Sequence, residues 1–258
     1  MDVMNNKAFD SERIASGYAK KPWIHRDIIK EIAKEYAECI PFQNGLDVGC
    51  GAGLSTKALR LICDHVTGTD ISEAMINVCR TMYKDTGYDF YVASAEETHY
   101  PEQCYDIVTA AGMVNWVEKD SFLDRMHEVM TAGGLLIVYD FWITDRMIEN
   151  TNYKDWYQDQ YLAAFPKPPR KENIWQQDEM GEHFHIQKQI VYEIPWKFKL
   201  NEFVEFMMIQ SNVNAKIESG EKTVTEVREW MMETLQPIFE NETHDFIFEG
   251  YCWYIEHL

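Results

Sequence analysis

Three glycines and two carboxylates carry the clearest chemistry in this chain. Asp47-Val48-Gly49-Cys50-Gly51-Ala52-Gly53 reads as the end of a strand followed by a sharp turn. Glycine permits such a turn and lets a bound molecule approach backbone that a Cβ would otherwise cover. The spacing is G-x-G-x-G. A dinucleotide fingerprint, G-x-G-x-x-G, would place its third glycine at position 54, where the chain has Leu54. Asp47 sits two positions ahead of the first glycine. A carboxylate there opposes an anionic pyrophosphate and suits a ligand with an ammonium group. The plain alternative is a glycine turn with no ligand.

A second carboxylate follows 23 residues on. Val66-Thr67-Gly68-Thr69-Asp70-Ile71 reads as a second strand ending in an acid. A carboxylate at such a strand end can accept hydrogen bonds from both hydroxyls of a ribose, and Ile71 would offer an apolar face to a base. Asp70 alone reads equally well as a helix N-cap, because Ser72-Glu73 open a helical stretch. It supports a nucleoside without choosing among nucleoside cofactors. Taken with Asp47 and the glycine spacing, it points to S-adenosylmethionine, which carries an ammonium and a sulfonium but no phosphate.

The elements that must hold these residues alternate along the chain. Residues 24–38 place Ile24, Ile28, Ile32 and Tyr36 at helical spacing, with Ile29 and Ala33 beside them. A strand ending near Val48, the glycine turn and a helix come next. VTGTDIS (strand), EAMINVCRTMYKD (helix), DFYVASA (strand), YDIVTAAGMV (strand), DSFLDRMHEVM (helix) and GGLLIVYDFW (strand) then follow. This alternation predicts βαβ units and a mostly parallel sheet, and the continuous apolar runs predict strands covered on both faces. After Phe141 the pattern breaks. Residues 142–185 are rich in aromatics and contain FPKPPR, which reads as a lid or specificity insertion. HIQKQIVYEI (strand), LNEFVEFMMIQS (helix), TVTEVREWMMETLQPIF (helix, with Thr223 and Glu226 as a capping pair) and DFIFEGYCWYIEHL (strand) close the chain.

Composition narrows the partners. The 258 residues include 43 acidic against 24 basic, a net charge of −19. Such a surface repels phosphate backbones, so no nucleic-acid partner is expected, and the charge also serves solubility. No apolar run reaches the roughly 18 residues of a membrane span, and the first residues lack the apolar core of a signal peptide. Cys39, Cys50, Cys63, Cys79, Cys104 and Cys252 are scattered without a CxxC pair. They read as reduced thiols, so a cytoplasmic location is expected and no metal site is.

LDVGCGAGLSTKAL, GTDISEAMI, ASAEE and YDIVTAAGMVNWVEKDSFLDRMHEVMTAGGLLIV resemble, in order, the successive motifs of class I S-adenosylmethionine-dependent methyltransferases. The resemblance covers about residues 9–140. It is nearest the branch holding the ubiquinone/menaquinone-biosynthesis and trans-aconitate methyltransferases. It implies an α/β Rossmann-like fold, and length and composition read the chain as a single domain over residues 1–258 with an N-terminal cap of about residues 1–40 and the lid of about 142–185. Its seven-stranded sheet would have the order 3-2-1-4-5-7-6, the last strand antiparallel. It also implies Gly49, Gly51 and Gly53 against the methionine and ribose of the cofactor, Asp47 near the ammonium and Asp70 on the ribose. Ala95 and Glu96 would line the adenine edge, and Ala110 and Ala111 would lie beside the sulfonium. Tyr18 and Lys21 match the family's Tyr…Arg-Pro segment and would reach the cofactor carboxylate, with lysine as a single charge where relatives have arginine. Two further departures stand out. Ser94 replaces the usual Asp before Ala-Glu, and Asn115-Trp116 replaces His-Trp after the fourth strand.

Methyl transfer from a sulfonium releases a neutral leaving group, so positioning and water exclusion can supply most of the acceleration. A base is needed only for a hydroxyl, a protonated amine or a carbon acid. Asp140 at the mouth of the fifth strand and His183 in the insertion are the candidate bases, His183 reading equally as an ordinary surface or lid histidine, and Trp116 beside the same mouth is the further candidate catalytic side chain. His183 and His185 would share a face of an extended segment, without a third metal ligand at suitable spacing. His25 reads as an ordinary histidine. Trp142, Tyr153, Trp156, Tyr157, Tyr161, Phe165 and Trp175 either pack the insertion onto the domain or line an aromatic pocket for the acceptor. The expected function is methyl transfer to a small molecule. A cofactor-binding protein without chemistry, a protein side-chain methyltransferase and an NAD-dependent oxidoreductase are the competing readings, and Leu54 and Asp47 oppose the last.

Overall fold

The computed structural model describes residues 11–96, 100, 102–167 and 174–258. Two helices, α1 (Glu12–Tyr18) and α2 (His25–Glu35), lead into an alternating series. The series runs β1 (Phe42–Val48), α3 (Leu54–Leu59), β2 (Cys63–Asp70), α4 (Glu73–Met82), β3 (Tyr88–Val92), β4 (Tyr105–Ala111), α5 (Lys119–Val129) and β5 (Met130–Met147). The stripe read in α2 is real: Ile24, Ile28, Ile29 and Ile32 are all buried. Each such isoleucine contributes about 2 kcal/mol by leaving water, which is why a helix with a charged outer face docks here.

The sheet has the order β3-β2-β1-β4-β5-β7-β6, as the motif resemblance implied. The inner pairs are parallel, with Asp47 opposite Thr109 and Val48 opposite Ala110 across β1 and β4. The last strand, β7 (His244–His257), runs antiparallel to β5 on one side and to β6 (Phe184–Phe198) on the other. Because the parallel strands are covered on both faces, side chains alternate between two cores. Ile107, Leu135, Ile137 and Tyr139 pack with α2 and with the C-terminal helices α8 (Leu200–Met208), α9 (Ser211–Glu218) and α10 (Val224–Phe239). Leu46, Val48, Val108, Ala110, Leu136 and Val138 pack against Phe122, Leu123 and Met126 of α5.

Two differences from the sequence reading concern the second half. Strand β5 does not stop near Phe141; it continues to Met147, because Ile143 and Met147 are buried opposite Phe248 and Phe246 of β7. The segment beyond it folds as α6 (Asn152–Asp155), a π-helical turn Trp156–Tyr161 and α7 (Leu162–Ala164). Helix α9 carried no strong amphipathic signal in the sequence and was not anticipated. At α10 the capping pair forms as read: Glu226 N–H donates to Thr223 Oγ1 at 3.2 Å, and Thr223 N–H donates to the Glu226 carboxylate at 2.8 Å. No described helix is long and apolar enough to cross a membrane.

Candidate active site

The C-terminal ends of β1, β2, β4 and β5 form the crevice that an open parallel sheet offers to ligands. At its centre the glycine turn is closed by Asp70. Gly51 N–H donates to Asp70 Oδ2 at 2.9 Å, and Ser72 N–H donates to Oδ1 at 2.8 Å. Asp70 therefore holds the turn and opens α4 together, while Ser72 caps that helix by accepting from Met75 N–H. Gly51 has φ +53°, and a Cβ there would meet nothing within 4 Å. Gly53 differs: φ is +85°, and a Cβ would come within 2.5 Å of the Tyr83 ring. Gly49 lies against Met113. The three glycines thus serve different ends, and Gly51 is the one that faces open space.

Asp47 does not face that space, which corrects the expectation that it meets a ligand ammonium. Its carboxylate is fully buried. Ser55 Oγ and Thr56 Oγ1 donate to Oδ2 at 2.6 and 2.7 Å, and Thr109 Oγ1 donates to Oδ1 at 2.7 Å. Burial raises its pKa to about 6 against the lowering effect of these three hydroxyls, and Asp70 raises it further. Its work is to tie β1 to α3 and β4 beneath the turn.

Around the turn, the other positions singled out from the sequence gather at the same end of the sheet. Ile71 is 56% exposed beside Asp70, as an apolar platform would be. Ser94, Ala95 and Glu96 follow β3, with Ser94 Oγ accepting from Glu96 N–H at 3.3 Å. Glu96 accepts from Glu118 N–H, which closes the segment after β3 onto the start of α5. Ala110 is buried and Ala111 half-buried at the end of β4. Asp140 comes next to Gly112: its Oδ1 accepts from Phe141 N–H at 2.8 Å, and a Cβ on Gly112 would lie 3.1 Å from it. Trp116 and Trp142 are 39% and 41% exposed. From the N-terminal cap, Lys21 Nζ lies 3.5 Å above the Tyr18 ring, so the two form one unit. Trp23 Nε1 donates to Leu54 O at 2.9 Å and pins the cap to the start of α3.

His183 is not part of this site. It stacks on His127 of α5 with ring centroids 3.6 Å apart, and Leu258 N–H donates to its carbonyl. His127 Nδ1 is 2.7 Å from His257 Nε2 at the end of β7. The antiparallel pairing of β7 puts that end beside the start of β5, opposite the crevice. The chain position of a residue just before β6 does not reveal which end of an antiparallel strand it will occupy, so His183 reads from sequence as a catalytic candidate in the insertion. Among the described residues no group of three His, Cys, Asp or Glu could hold a metal. Most of the aromatics of the insertion are also structural. Tyr153, Trp156, Tyr157, Tyr161, Phe165 and Trp175 are all buried. Trp156 Nε1 donates to Thr234 Oγ1 of α10, and Tyr161 Oη donates to Asn212 Oδ1 of α9.

The sequence reading passed over one contact. His25 Nδ1 lies 2.8 Å from Tyr139 Oη, and the imidazole packs edge-on against both Tyr139 and Phe141. The partners are 114 positions apart, so no local spacing announced them. Burial, with Lys21 second, lowers the His25 pKa to about 3.

Comparison with known proteins fits this geometry. Residues 46–138 match the family model described as a methyltransferase domain. The ubiquinone/menaquinone biosynthesis C-methyltransferase UbiE of Vibrio campbellii is 31% identical over 148 residues, covering 54% of this chain and 52% of that protein. The chain thus spans about half the length of such relatives. Among solved structures, a protein of Anaeromyxobacter dehalogenans described as a type II methyltransferase superposes with a TM-score of 0.68. It is 19% identical, over 90% of this chain and 95% of its own. The [4+2]-cyclase SpnF superposes with a TM-score of 0.52 and 15% identity, over 90% of this chain and 80% of its own. Residues 46–138 thus carry the match to a methyltransferase-domain family, within a sheet whose strand order is the one the motif resemblance implied.

Proposed function

We propose that the chain transfers the methyl group of S-adenosylmethionine to a small-molecule acceptor bound at the C-terminal end of the sheet. The observation that carries this reading is the Gly51–Asp70 arrangement. It is a backbone position open to solvent space and held beside a carboxylate ending β2, in a chain whose matched relatives carry methyltransferase names. The residues fit the cofactor. Asp70 is the carboxylate that would accept from a ribose, Ile71 offers an apolar surface to the base, and the Tyr18–Lys21 unit supplies a positive charge for a carboxylate. When bound, the cofactor supplies a methyl group on a sulfonium. The protein's part is to hold the acceptor beside Ala111 and Asp140 and to exclude water. In this reading Asp140 orients the acceptor or takes its proton, and Trp116 and Trp142 offer aromatic surface to it. In this reading the chain is one domain working in the cytoplasm, with residues 1–40 as its cap and the segment after β5 closing one side.

Calorimetric titration tests the proposal. S-adenosylmethionine and S-adenosylhomocysteine should both bind, NADH should not, and Asp70→Ala should abolish binding while the folded state persists. Absence of heat with both sulfur nucleosides, together with binding of NADH, would overturn it. A screen with radiolabelled methyl donor against small metabolites then identifies the acceptor.

A further inference from the structure

We propose that His25, its tautomer fixed by Tyr139, presents a neutral Nε2–H to the methyl acceptor and orients it through an oxygen atom. The inference rests on the methyltransferase reading above and assigns a role within the same site.

The argument starts from the phenol. Tyr139 is fully buried, and its hydroxyl has His25 Nδ1 as its hydrogen-bond partner among the described residues. A buried O–H left without an acceptor costs about 1–3 kcal/mol, so the phenol donates. Nδ1 is then the acceptor, and in a neutral imidazole the proton must sit on Nε2. Burial and the Asp47 charge both hold the phenol in its protonated form, which keeps it a donor. The imidazole itself stays neutral because it is desolvated and faces Lys21 across the link between α1 and α2.

Position does the rest. Tyr139 pairs with Ala111 across β4 and β5, and Phe141, the other ring against His25, flanks Asp140. His25 is therefore at the level of the strand ends where the acceptor must lie, and its ring plane is set by two aromatic contacts. It is half-buried, and no described residue hydrogen-bonds to Nε2. A rigid, neutral donor with a fixed tautomer is a device for holding an oxygen, whereas a general base would need an imidazole able to take a proton near neutral pH. His25 touches the acceptor in this proposal; Tyr139 acts through it as a positioning residue.

The test uses the full chain, 15N-labelled and saturated with S-adenosylhomocysteine. Histidine ring spectra should show His25 as the Nε2–H tautomer, uncharged down to pH 5, and Tyr139→Phe should release it into a tautomer mixture. Benzoate, an oxygen-bearing probe, should shift the His25 Nε2 resonance, and benzylamine of similar size should not. With the acceptor found by the methyl-donor screen, His25→Phe should lower kcat by about tenfold or more, and His25→Gln, which keeps an N–H donor, should restore much of it. Affinity for S-adenosylhomocysteine should be unchanged in both. An Nδ1–H tautomer, a titration near the ordinary histidine range, a silent Nε2 with benzoate, or wild-type turnover in His25→Phe would each refute the proposal. Failure of the unlabelled protein to bind S-adenosylhomocysteine would instead refute the methyltransferase reading beneath it.

Discussion

Asp47 shows how a single carboxylate organises the turn without needing to touch a ligand. Taking a carboxylate out of water is expensive, and here three hydroxyl donors offset that cost. Removing it strands all three. Asp47→Ala should therefore lower stability by about 3 kcal/mol, while Asp47→Asn, which keeps the shape and lets the hydroxyls rotate, should cost about 1 kcal/mol. The midpoint of urea unfolding measures both; equal small losses would mean that the network holds little. The sequence shows the sign of this charge and its distance from the glycines. It does not show the direction, because that depends on Thr109, 62 positions away on the neighbouring strand. A threonine inside the apolar run of β4 was the available signal, a polar residue in a covered strand that must find a partner. Asp70 was more legible, since a strand-end acid ahead of Ser-Glu has few places to point.

At the scale of the element, the glycine turn separates folding from binding. Gly51 and Gly53 both have positive φ, so an alanine strains either by about 1–2 kcal/mol. Only Gly53 also brings its Cβ within 2.5 Å of Tyr83 and 3.0 Å of Cys79. Gly53→Ala should unfold at markedly lower temperature. Gly51→Ala should fold with a modest loss yet bind S-adenosylhomocysteine at least tenfold more weakly, on the order of 1.4 kcal/mol or more, because its methyl enters the open space in which the ligand is proposed to lie. Thermal unfolding and calorimetry on the two variants separate these effects, and intact affinity in Gly51→Ala would show that the ligand lies elsewhere. The turn could be read from sequence because glycine spacing is local. The aromatic segment after β5 could be read only in part. Tyr153, Trp156, Tyr157 and Tyr161 fall at helical spacing, but whether such rings face a ligand or a helix depends on α9 and α10, some 50 to 80 positions later. The structure puts them against those helices. Trp156→Ala should thus cost about 3–5 kcal/mol of stability and leave cofactor affinity unchanged.

For the molecule as a whole, the order of strands follows from the alternation of elements, and the sheet then fixes which residues share an end. That second step is where His183 went to the far side and His25 came to the crevice. The consequence reaches the pH dependence of stability, because His25 and Asp47 titrate abnormally in opposite senses. His25 is lowered from 6.5 to about 3, first by burial and then by Lys21. As pH falls below 6.5 the unfolded chain takes that proton and the folded chain does not, so stability is lost. Asp47 is raised from 3.8 to about 6, chiefly by burial. As pH falls through 6 the folded chain takes that proton first, so stability is gained until about 3.8. Each slope is at most about 1.4 kcal/mol per pH unit, and between pH 6 and 4 the two nearly cancel. Single variants should unmask them. Relative to the parent, His25→Gln should gain stability as the solution is acidified from pH 7 to 5. Asp47→Asn should lose ground from pH 6 to 4. Melting temperatures of the three proteins across that range decide the matter. A His25→Gln difference that stays constant with pH would mean that the imidazole is not held neutral, and an Asp47→Asn difference that stays constant would mean that the buried carboxylate ionises as it would in water.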